Sequence, residues 1–489
     1  MSTFIIGLVI LIGGGYAYGK YCDKVFGPDD RKTPAMTMGD GVDYVPMGKW
    51  KNSLIELLNI AGTGPILGPI QGILFGPIAF ILIPVGCVLS GALHDYMCGM
   101  ICLREDGKQM PALISKFLGK GTFQVYNIFV SVLMLLVGAV FIYTPGDLVV
   151  TQIMGQQATP NNPVVWIVYA VIFIYYLIAT LFPIDKIIGK VYPIFGLILL
   201  LSAVGIFIGI FVKGYHLESL SSVNWMGIHP GKLPILPIFF VTVACGITSG
   251  FHATQATLIA RSVTSEREGR RTFYNMMILE GFIAMIWAAA SMGIYAKITN
   301  GGMPGIDSSV FGSATVVGLV AKDLLGNVGG LIAIIGIIVL PITSGDTALR
   351  SLRLMLAEFL HYDQKKKGNR ILLSSVIFAF CAVILVFAKL SANGFNVLWR
   401  YFAWANQTIA IFAFAMMTVY LYARKKNYII TLIPGMFYAF IIATFILNAT
   451  IGFNLKMNIA YVGGVIFAII YAIFIIKVAK KFKLKYEEV

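Results

Sequence analysis

Apolar segments follow one another along the whole chain and are separated by short polar stretches. Most of them approach or exceed the roughly 20 residues that an α-helix needs to cross a bilayer. Their approximate bounds are 4–19, 53–75, 77–103, 121–145, 163–182, 190–213, 233–262, 271–296, 328–358, 370–389, 396–422, 427–448 and 457–480. This pattern predicts an all-α, polytopic membrane protein with about 13 transmembrane helices packed in one bundle.

Composition and charge agree with a membrane protein and predict its orientation. Of the 489 residues, 58% are hydrophobic and only 12% are charged, whereas soluble domains carry about 25% charged residues. The 37 Lys and Arg residues fall in alternate loops, 30 on one side and 7 on the other. The positive-inside rule then predicts an N-terminus outside, a cytoplasmic C-terminus and a location in the plasma or inner membrane. It also explains the net charge of +15 without a nucleic-acid partner.

Two predicted spans are interrupted by glycine, proline and polar residues. The first interruption is "IAGTGPILGP" at 60–69, and the second is "ACGITSGFHATQ" at 244–255. Backbone that lacks helical hydrogen bonds is tolerated at membrane depth only where it lines a cavity or is buried in protein. Interruptions at corresponding places in two halves of a chain are typical of a transporter site. The alternative is that these glycines serve only close helix packing.

The two interruptions lie five spans apart, and this spacing predicts an internal repeat. Because five is odd, two five-helix units would have opposite topologies, as in the LeuT-like 5+5 inverted repeat. Residues 53–213 would form the first repeat and 233–422 the second, within a single transmembrane transporter domain. Residues 1–52 would add an N-terminal helix and a cytoplasmic loop, and 427–489 would add two C-terminal helices and a basic tail.

Polar residues in and near the interruptions are candidates for substrate binding. Amides at the N-termini of half-helices can hold a substrate carboxylate, and freed carbonyls can hold a cation. The amides of Asn406 and Gln407 either face the same cavity or bond a neighbouring helix. The substrate-binding candidates are Gly62, Thr63, Gly64, Ser249, Gly250, His252, Gln255, Asn406 and Gln407.

Ionisable and hydroxyl groups within the spans are candidates for a proton or a coupling ion. Charged groups are costly in a bilayer, so each is a functional hypothesis. Alternatives stay open: His94 and Asp95 can form an interfacial pair near the inner end of a span, Glu280 can partner a buried donor, and Asp346 can pair with Arg350. The candidates are Glu56, His94, Asp95, Glu280, Thr343, Ser344 and Asp346.

Oxygen ligands suit a hard cation or a proton, so the expected coupling ion is Na+ or H+. We expect no cofactor and no bound metal, although Asp346, His94 and His252 could converge. The six cysteines lie mostly in apolar spans without metal-ligand spacing, and we expect them to be small buried residues rather than disulfides.

Several long stretches make the chain resemble the carbon starvation protein A family. They occur in order along the chain and are "DGVDYVP" (40–46), "IAGTGPILGPI" (60–70), "GALHDYMCG" (91–99), "HATQATLIARSVTSEREGRRTFYNMMILEGFIAMIWAAASM" (252–292), "PITSGDTALRSLRLMLAEF" (341–359) and "LWRYFAWANQTIA" (398–410). The resemblance implies an inner-membrane transporter linked to peptide uptake during nutrient limitation, with a close branch that imports pyruvate with protons. It also implies kinship with the amino acid–polyamine–organocation superfamily.

One position departs from the family pattern. Many members carry a His-His pair just before the glycine motif, and Ile55 and Glu56 stand there in this chain. Glu56 can carry a proton as a histidine does, but it does not reproduce the geometry of an imidazole. The coupling mechanism of the family therefore does not transfer directly to this chain.

These features predict a secondary active transporter that imports short peptides on a proton or sodium gradient. One alternative is a symporter of pyruvate or another small carboxylate with protons, and another is a membrane nutrient sensor without transport. We expect no enzymatic activity, since no nucleophile stands at a recognisable spacing and no Walker or HExxH motif occurs. The expected partners are the substrate and the lipid bilayer, and the oligomeric state stays open.

Overall fold

The computed structural model confirms the predicted all-α fold: the described residues form helices and no strands, and many of the helices are long and apolar enough to cross a membrane. It describes residues 1–39, 44–181, 185–221, 229–298, 313–360, 362, 367–391 and 393–487. Within these ranges the side chains at 180, 181, 185–193, 195, 313, 343, 346, 347, 354, 358, 359, 367 and 485–487 are outside the description. Two candidates, Thr343 and Asp346, therefore lie outside the described side chains.

The described chain consists of long helices joined by short loops and single helical turns. The helices are α1 (Ser2–Phe26), α2 (Lys49–Ile60), α3 (Gly64–Phe75), α4 (Ala79–Arg104), α5 (Met110–Leu118), α6 (Lys120–Ile153), α7 (Pro163–Leu181), α8 (Asp185–Val212), α9 (235–247), α10 (Gly250–Ala260), α11 (Asn275–Ile298), α12 (Ser313–Phe359), α13 (Lys367–Leu390), α14 (Gly394–Ala423), α15 (Ile429–Asn448) and α16 (Met457–Glu487).

In the part of the chain that the structure describes, nine helical segments are long and apolar enough to cross a membrane. The bent pair α2 and α3 makes a tenth, and two shorter apolar segments lie at Pro163–Ala179 and Gly196–Val212. Three expectations stay predictions: the total of 13 crossings, the inverted repeat and the orientation of the termini.

Burial divides the helices into an inner and an outer set. The most apolar windows of α11 and α14 are 83% and 89% buried, whereas the window of α16 is only 28% buried. The exposed side chains of α16 are mostly Ile, Val and Phe, as expected of a lipid-facing helix because lipid tails are as apolar as these residues. All six cysteines are free and buried, which confirms the sequence-based expectation.

The first predicted interruption is present. Helix α2 ends at Ile60, α3 begins at Gly64, and the two halves are bent by 49°. Pro65 lies in the first turn of α3, where its missing N–H costs no helical hydrogen bond. The backbone between the halves closes a local turn in which the N–H of Gly62 donates to the carbonyl of Ile60 at 2.8 Å.

The second predicted interruption is also present. Helix α9 is irregular at Val243, and Thr248 and Ser249 are extended, with φ of −156° and −127°. Helix α10 then begins at Gly250. Helix α14 accounts for two of the freed carbonyls: Trp399 Nε1 donates to Thr242 at 3.1 Å, and Gln407 Nε2 donates to Phe240 at 2.7 Å.

Glycines allow the two interruptions and α14 to pack closely. A Cβ built on Gly64 would collide with the side chain of Cys245 in α9, so the first interruption lies directly against the second. A Cβ on Gly250 would collide with the backbone of α14 at Asn406 and Ala410. Both glycines therefore have a packing role, and the packing brings the two interrupted spans into contact.

The N-terminal strap, defined as residues 27–39 and 44–48, binds the loop between α10 and α11. Thr33 Oγ1 donates to the carbonyl of Val263 at 2.6 Å, and the N–H of Asp29 donates to Glu266 Oε2 at 3.1 Å. Arg267 donates to both carboxylate oxygens of Asp30 at 2.5 and 2.7 Å and lowers the pKa of that carboxyl.

Arg104, at the end of α4, joins the strap and the same loop. Its guanidinium donates to both oxygens of Glu266 at 2.9 and 2.8 Å and to the carbonyl of Gly27 at 2.7 Å. The side chains of Arg104 and Glu266 are 8% and 1% exposed, so this ion pair is largely shielded from solvent.

Candidate functional site

A small cavity lies between the two interruptions. It leaves about 20 Å³ for the centres of water molecules, which is room for one or two waters. Five of the predicted candidates contribute to its wall. The lining residues are Asn59, Ile60, Gly62, Gly64, Val137, Phe141, Cys245, Phe251, His252, Ser344, Phe402 and Asn406.

Two buried hydroxyl groups in or next to the cavity are available to accept or donate further hydrogen bonds. Thr63 is fully buried, and its hydroxyl has no hydrogen-bond partner among the described residues. Across the cavity, the buried hydroxyl of Ser344 on α12 likewise has no partner in the described part of the chain. Ser344 lines the cavity, whereas Thr63 does not, although its neighbours Gly62 and Gly64 do. The Ser344 hydroxyl is therefore the one that a polar ligand in the cavity can reach.

The side formed by the second interruption is already capped by α14. Asn406 Oδ1 accepts hydrogen bonds from the N–H of Phe251 at 2.8 Å and from Ser249 Oγ at 3.1 Å. This side chain therefore acts as an N-cap for α10 supplied by another helix. Asn406 both lines the cavity and bonds a neighbouring helix, while Gln407 makes a helix–helix bond. Gln255 donates to Thr254 and lies outside the cavity wall.

Next to the cavity, five ionisable side chains converge from four helices. Asp95 on α4 is at the centre: Oδ1 lies 2.8 Å from Nδ1 of the adjacent His94, and Oδ2 lies 3.0 Å from Nδ1 of His252 on α10. Glu280 on α11 lies 3.6 Å from His252 Nδ1. Glu56 on α2 interacts electrostatically with Asp95 and Glu280.

All five side chains are at most 1% exposed. We call Glu56, His94, Asp95, His252 and Glu280 the buried cluster. His94 and Asp95 are both fully buried, and Asp95 is shared between two imidazoles. Whether the pair lies near the inner end of its span stays a prediction.

Hydrogen bonding within the buried cluster is incomplete. Neither carboxyl oxygen of Glu56 or Glu280 has a hydrogen-bond partner among the described residues, and the same holds for His94 Nε2. Burying an ionised carboxylate without partners costs several kcal/mol. Such a carboxyl is most stable when it holds a proton, so the cluster has the chemistry of a proton-binding site.

The imidazole and carboxylate side chains of the buried cluster are of kinds that can also bind metals. No group of three His, Cys, Asp or Glu side chains in the described ranges has the geometry to hold one. The side chain of Asp346 lies outside the described part of the structure, so the convergence of Asp346, His94 and His252 stays a prediction.

Some functional neighbours escape sequence reasoning. The aromatic side chains of Phe141, Phe251 and Phe402 line the cavity. Phe251 and Phe402 lie within stretches quoted from the sequence without being singled out there, and Phe141 lies in none of them. A buried ion pair joins Lys389 to both oxygens of Asp147 at 2.8 and 2.9 Å. In the sequence, the only indication of this ion pair is that Lys389 stands at the end of an otherwise apolar span.

Comparisons with known proteins agree with the transporter architecture. The sequence model of the family described as "Carbon starvation protein CstA" matches residues 1–213, 146–317 and 296–446. An uncharacterized membrane protein of Haemophilus influenzae is 41% identical over 339 residues, covering 60% of this chain and 91% of that protein.

Two relatives from Escherichia coli have functional names. Peptide transporter CstA is 23% identical, covering 84% of this chain and 75% of that protein. Pyruvate/proton symporter BtsT is 24% identical, covering 64% of this chain and 52% of that protein.

A solved structure shares the fold. The manganese transporter of Eremococcus coleocola superposes with a TM-score of 0.60 at 12% identity, covering 91% of this chain and 99% of that one. At this identity the similarity concerns the fold alone. The family match covers most of the sequence, and a membrane transport protein fits both the fold and the named relatives. The chain therefore belongs to the carbon starvation protein CstA family.

Proposed function

We propose that this protein is a secondary active transporter that imports short peptides and is driven by a proton gradient. The observation that carries the proposal is the buried cluster beside the cavity, with His252 belonging to both. A group shared by a ligand cavity and a proton-binding cluster is what a symporter needs, because the two binding events must influence each other.

The paired interruptions support a substrate site at this place. Gly64, the first residue of α3, lines the cavity, so the N-terminal end of that half-helix lies beside a space where a carboxylate can be held. Peptides and small organic acids both carry such a group. Peptide transport is the named activity of the Escherichia coli relative CstA, and transport is common to all of the functionally named relatives described above.

The chemistry of the buried cluster favours a proton over sodium. Imidazoles titrate near neutral pH, whereas a hard cation such as Na+ prefers sites made of oxygen atoms. Asp95 is occupied by two imidazoles, which leaves no ring of oxygens around it.

The cavity favours a second candidate substrate, a small carboxylate such as pyruvate. With about 20 Å³ for water centres, the observed conformation has no space for a dipeptide. A peptide would require the interrupted spans to separate further, whereas a three-carbon acid would require less. The relative BtsT is named as a pyruvate/proton symporter.

Uptake into proteoliposomes tests these proposals. Labelled L-alanyl-L-alanine and labelled pyruvate would each be offered with an inward proton gradient, with an inward sodium gradient, or with neither, at clamped membrane potential. We expect accumulation of one probe with the proton gradient only. Accumulation with sodium alone would contradict proton coupling. Binding without counterflow of either probe would favour the nutrient sensor and contradict transport.

A further inference from the structure

We propose that His252 is the residue that links substrate to proton: a carboxylate enters the cavity together with one proton on His252. The inference rests on the proposed function and assigns to a single side chain the coupling that the proposed function requires.

The position of His252 allows it to act on both sides. It is the third residue of α10, immediately after the extended Thr248 and Ser249, and it lines the cavity. Its Nδ1 lies 3.0 Å from Asp95 and 3.6 Å from Glu280. None of the other members of the buried cluster is part of the cavity wall.

The cavity lacks a fixed positive charge. Among the described residues that line it, His252 is the only one whose side chain can become a cation; the rest are apolar, amide, hydroxyl or thiol residues and glycines. The helix N-terminus of α3 supplies only about half a charge. The N-terminus of α10 is occupied by Asn406, which accepts the N–H of Phe251.

A carboxylate buried here therefore needs a compensating charge. An unpaired anion in a protein interior costs several kcal/mol, and an imidazole is the side chain that most readily supplies a proton-borne charge near neutral pH. Binding of the anion and protonation of His252 then favour each other, which is positive linkage between the two ligands.

The charged neighbours of His252 lead to the same conclusion. Asp95 and His94 face it from α4, Glu280 faces it from α11, and Glu56 from α2 interacts with Asp95 and Glu280. With Glu56 and Glu280 protonated and both imidazoles neutral, Asp95 leaves the cluster with one negative charge. A substrate anion alone would double that charge, whereas an anion with a proton leaves it unchanged.

This linkage fixes the charge moved per cycle. A monoanion such as pyruvate would cross with one proton and carry no net charge, whereas a zwitterionic dipeptide would carry one positive charge. The current recorded from proteoliposomes on addition of either probe reports which case holds.

The test compares wild-type protein with His252→Gln, using His216→Gln as the matched control because His216 is exposed and is not part of the cavity wall. Affinity for pyruvate and for L-alanyl-L-alanine would be measured between pH 6 and 8. For the wild type and His216→Gln we expect affinity to fall by up to tenfold per pH unit on the alkaline side. For His252→Gln we expect a pH-independent affinity and loss of proton-driven accumulation, with counterflow retained.

A second measurement does not depend on the variant folding. Substrate added to the wild-type protein in weakly buffered detergent solution should remove one proton from solution per substrate bound, as followed with an indicator dye. Absence of proton uptake, or unchanged pH dependence in a folded His252→Gln protein, overturns the role of His252. If wild-type counterflow persists in that case, the proposed transport function stands; if no probe shows counterflow, both fail.

Discussion

Replacement of Gly64 by alanine tests whether contact between the two interruptions holds the site together. The added Cβ would overlap the Cβ of Cys245 and would lie 2.5 Å from its Sγ. The new Cβ would lie 2.2 Å from the Cys245 Cβ, whereas ordinary carbon contacts are about 3.5–4.0 Å, so the two interrupted spans would have to move apart by about 1.3–1.8 Å. Overpacking of this kind costs about 3 kcal/mol.

The structure also offers a compensating change. Cys245→Gly removes both clashing atoms, and the next nearest atom, Cys245 Cα, is 3.8 Å from the new Cβ. Cys245→Gly alone should cost about 1–2 kcal/mol through the lost side chain. The double variant should therefore be more stable than the sum of the single effects predicts, with a coupling energy of about 2 kcal/mol.

Thermal unfolding of the four purified proteins in detergent, together with counterflow, measures this cycle. Gly62→Ala is a matched control, because its Cβ would meet only Phe141 Cζ at 3.7 Å, and its stability should change by less than about 0.5 kcal/mol. Strict additivity of Gly64→Ala and Cys245→Gly would refute the contact between the interruptions on which the site depends.

Three further predictions concern stability and the cap. Arg104→Gln or Glu266→Gln should lower the free energy of unfolding by about 2 kcal/mol, because each removes the two-bond partner of a shielded charge and leaves it only a longer ionic contact, Glu266 with Arg31 at 3.5 Å or Arg104 with Asp29 at 3.8 Å. The double variant should recover part of this loss, and equal loss in all three by thermal unfolding would contradict the prediction. Burial, reinforced by the charge of Arg400, lowers the pKa of His229 from 6.5 to about 4. Between these pH values the unfolded chain binds a proton at His229, whereas the folded protein does not. Stability should therefore fall as the pH drops from about 6.5 to 4, by about 1 kcal/mol after allowance for partial exposure, and His229→Gln should lack this component in a pH series. Asn406→Ala should cost about 2 kcal/mol by leaving the N–H of Phe251 unpaired and should weaken substrate binding; an unchanged affinity in a binding assay would remove Asn406 from the site.

The interruptions could be predicted because their cause is local. Glycine and proline at 62–65 disfavour a continuous helix wherever the segment lies, and the polar residues at 248–249 point to a break inside an apolar span. The lengths of the spans could be predicted for the same reason, although α6 and α12 extend beyond their predicted ends.

The composition of the site depends on packing and could be predicted only in part. Glu56, Asp95, His252 and Glu280 each stood out as polar residues in apolar segments, but nothing in the spacing of residues so far apart showed that Asp95 would lie between two imidazoles. Phenylalanines such as Phe402 line the cavity and cannot be told from the many other aromatic residues in the spans. The role of Asn406 as a cap for α10 required the register of two helices, which hydrophobic periodicity does not provide.

The N-terminal strap has a consequence for how motion inside the bundle reaches the surface. It is bonded to the loop that directly follows α10, the helix that carries His252. If α10 tilts during a transport cycle, the strap must either detach or travel with it. A fluorescent label placed on this solvent-accessible segment would then report events at the membrane centre, and an antibody fragment that clamps it would arrest them.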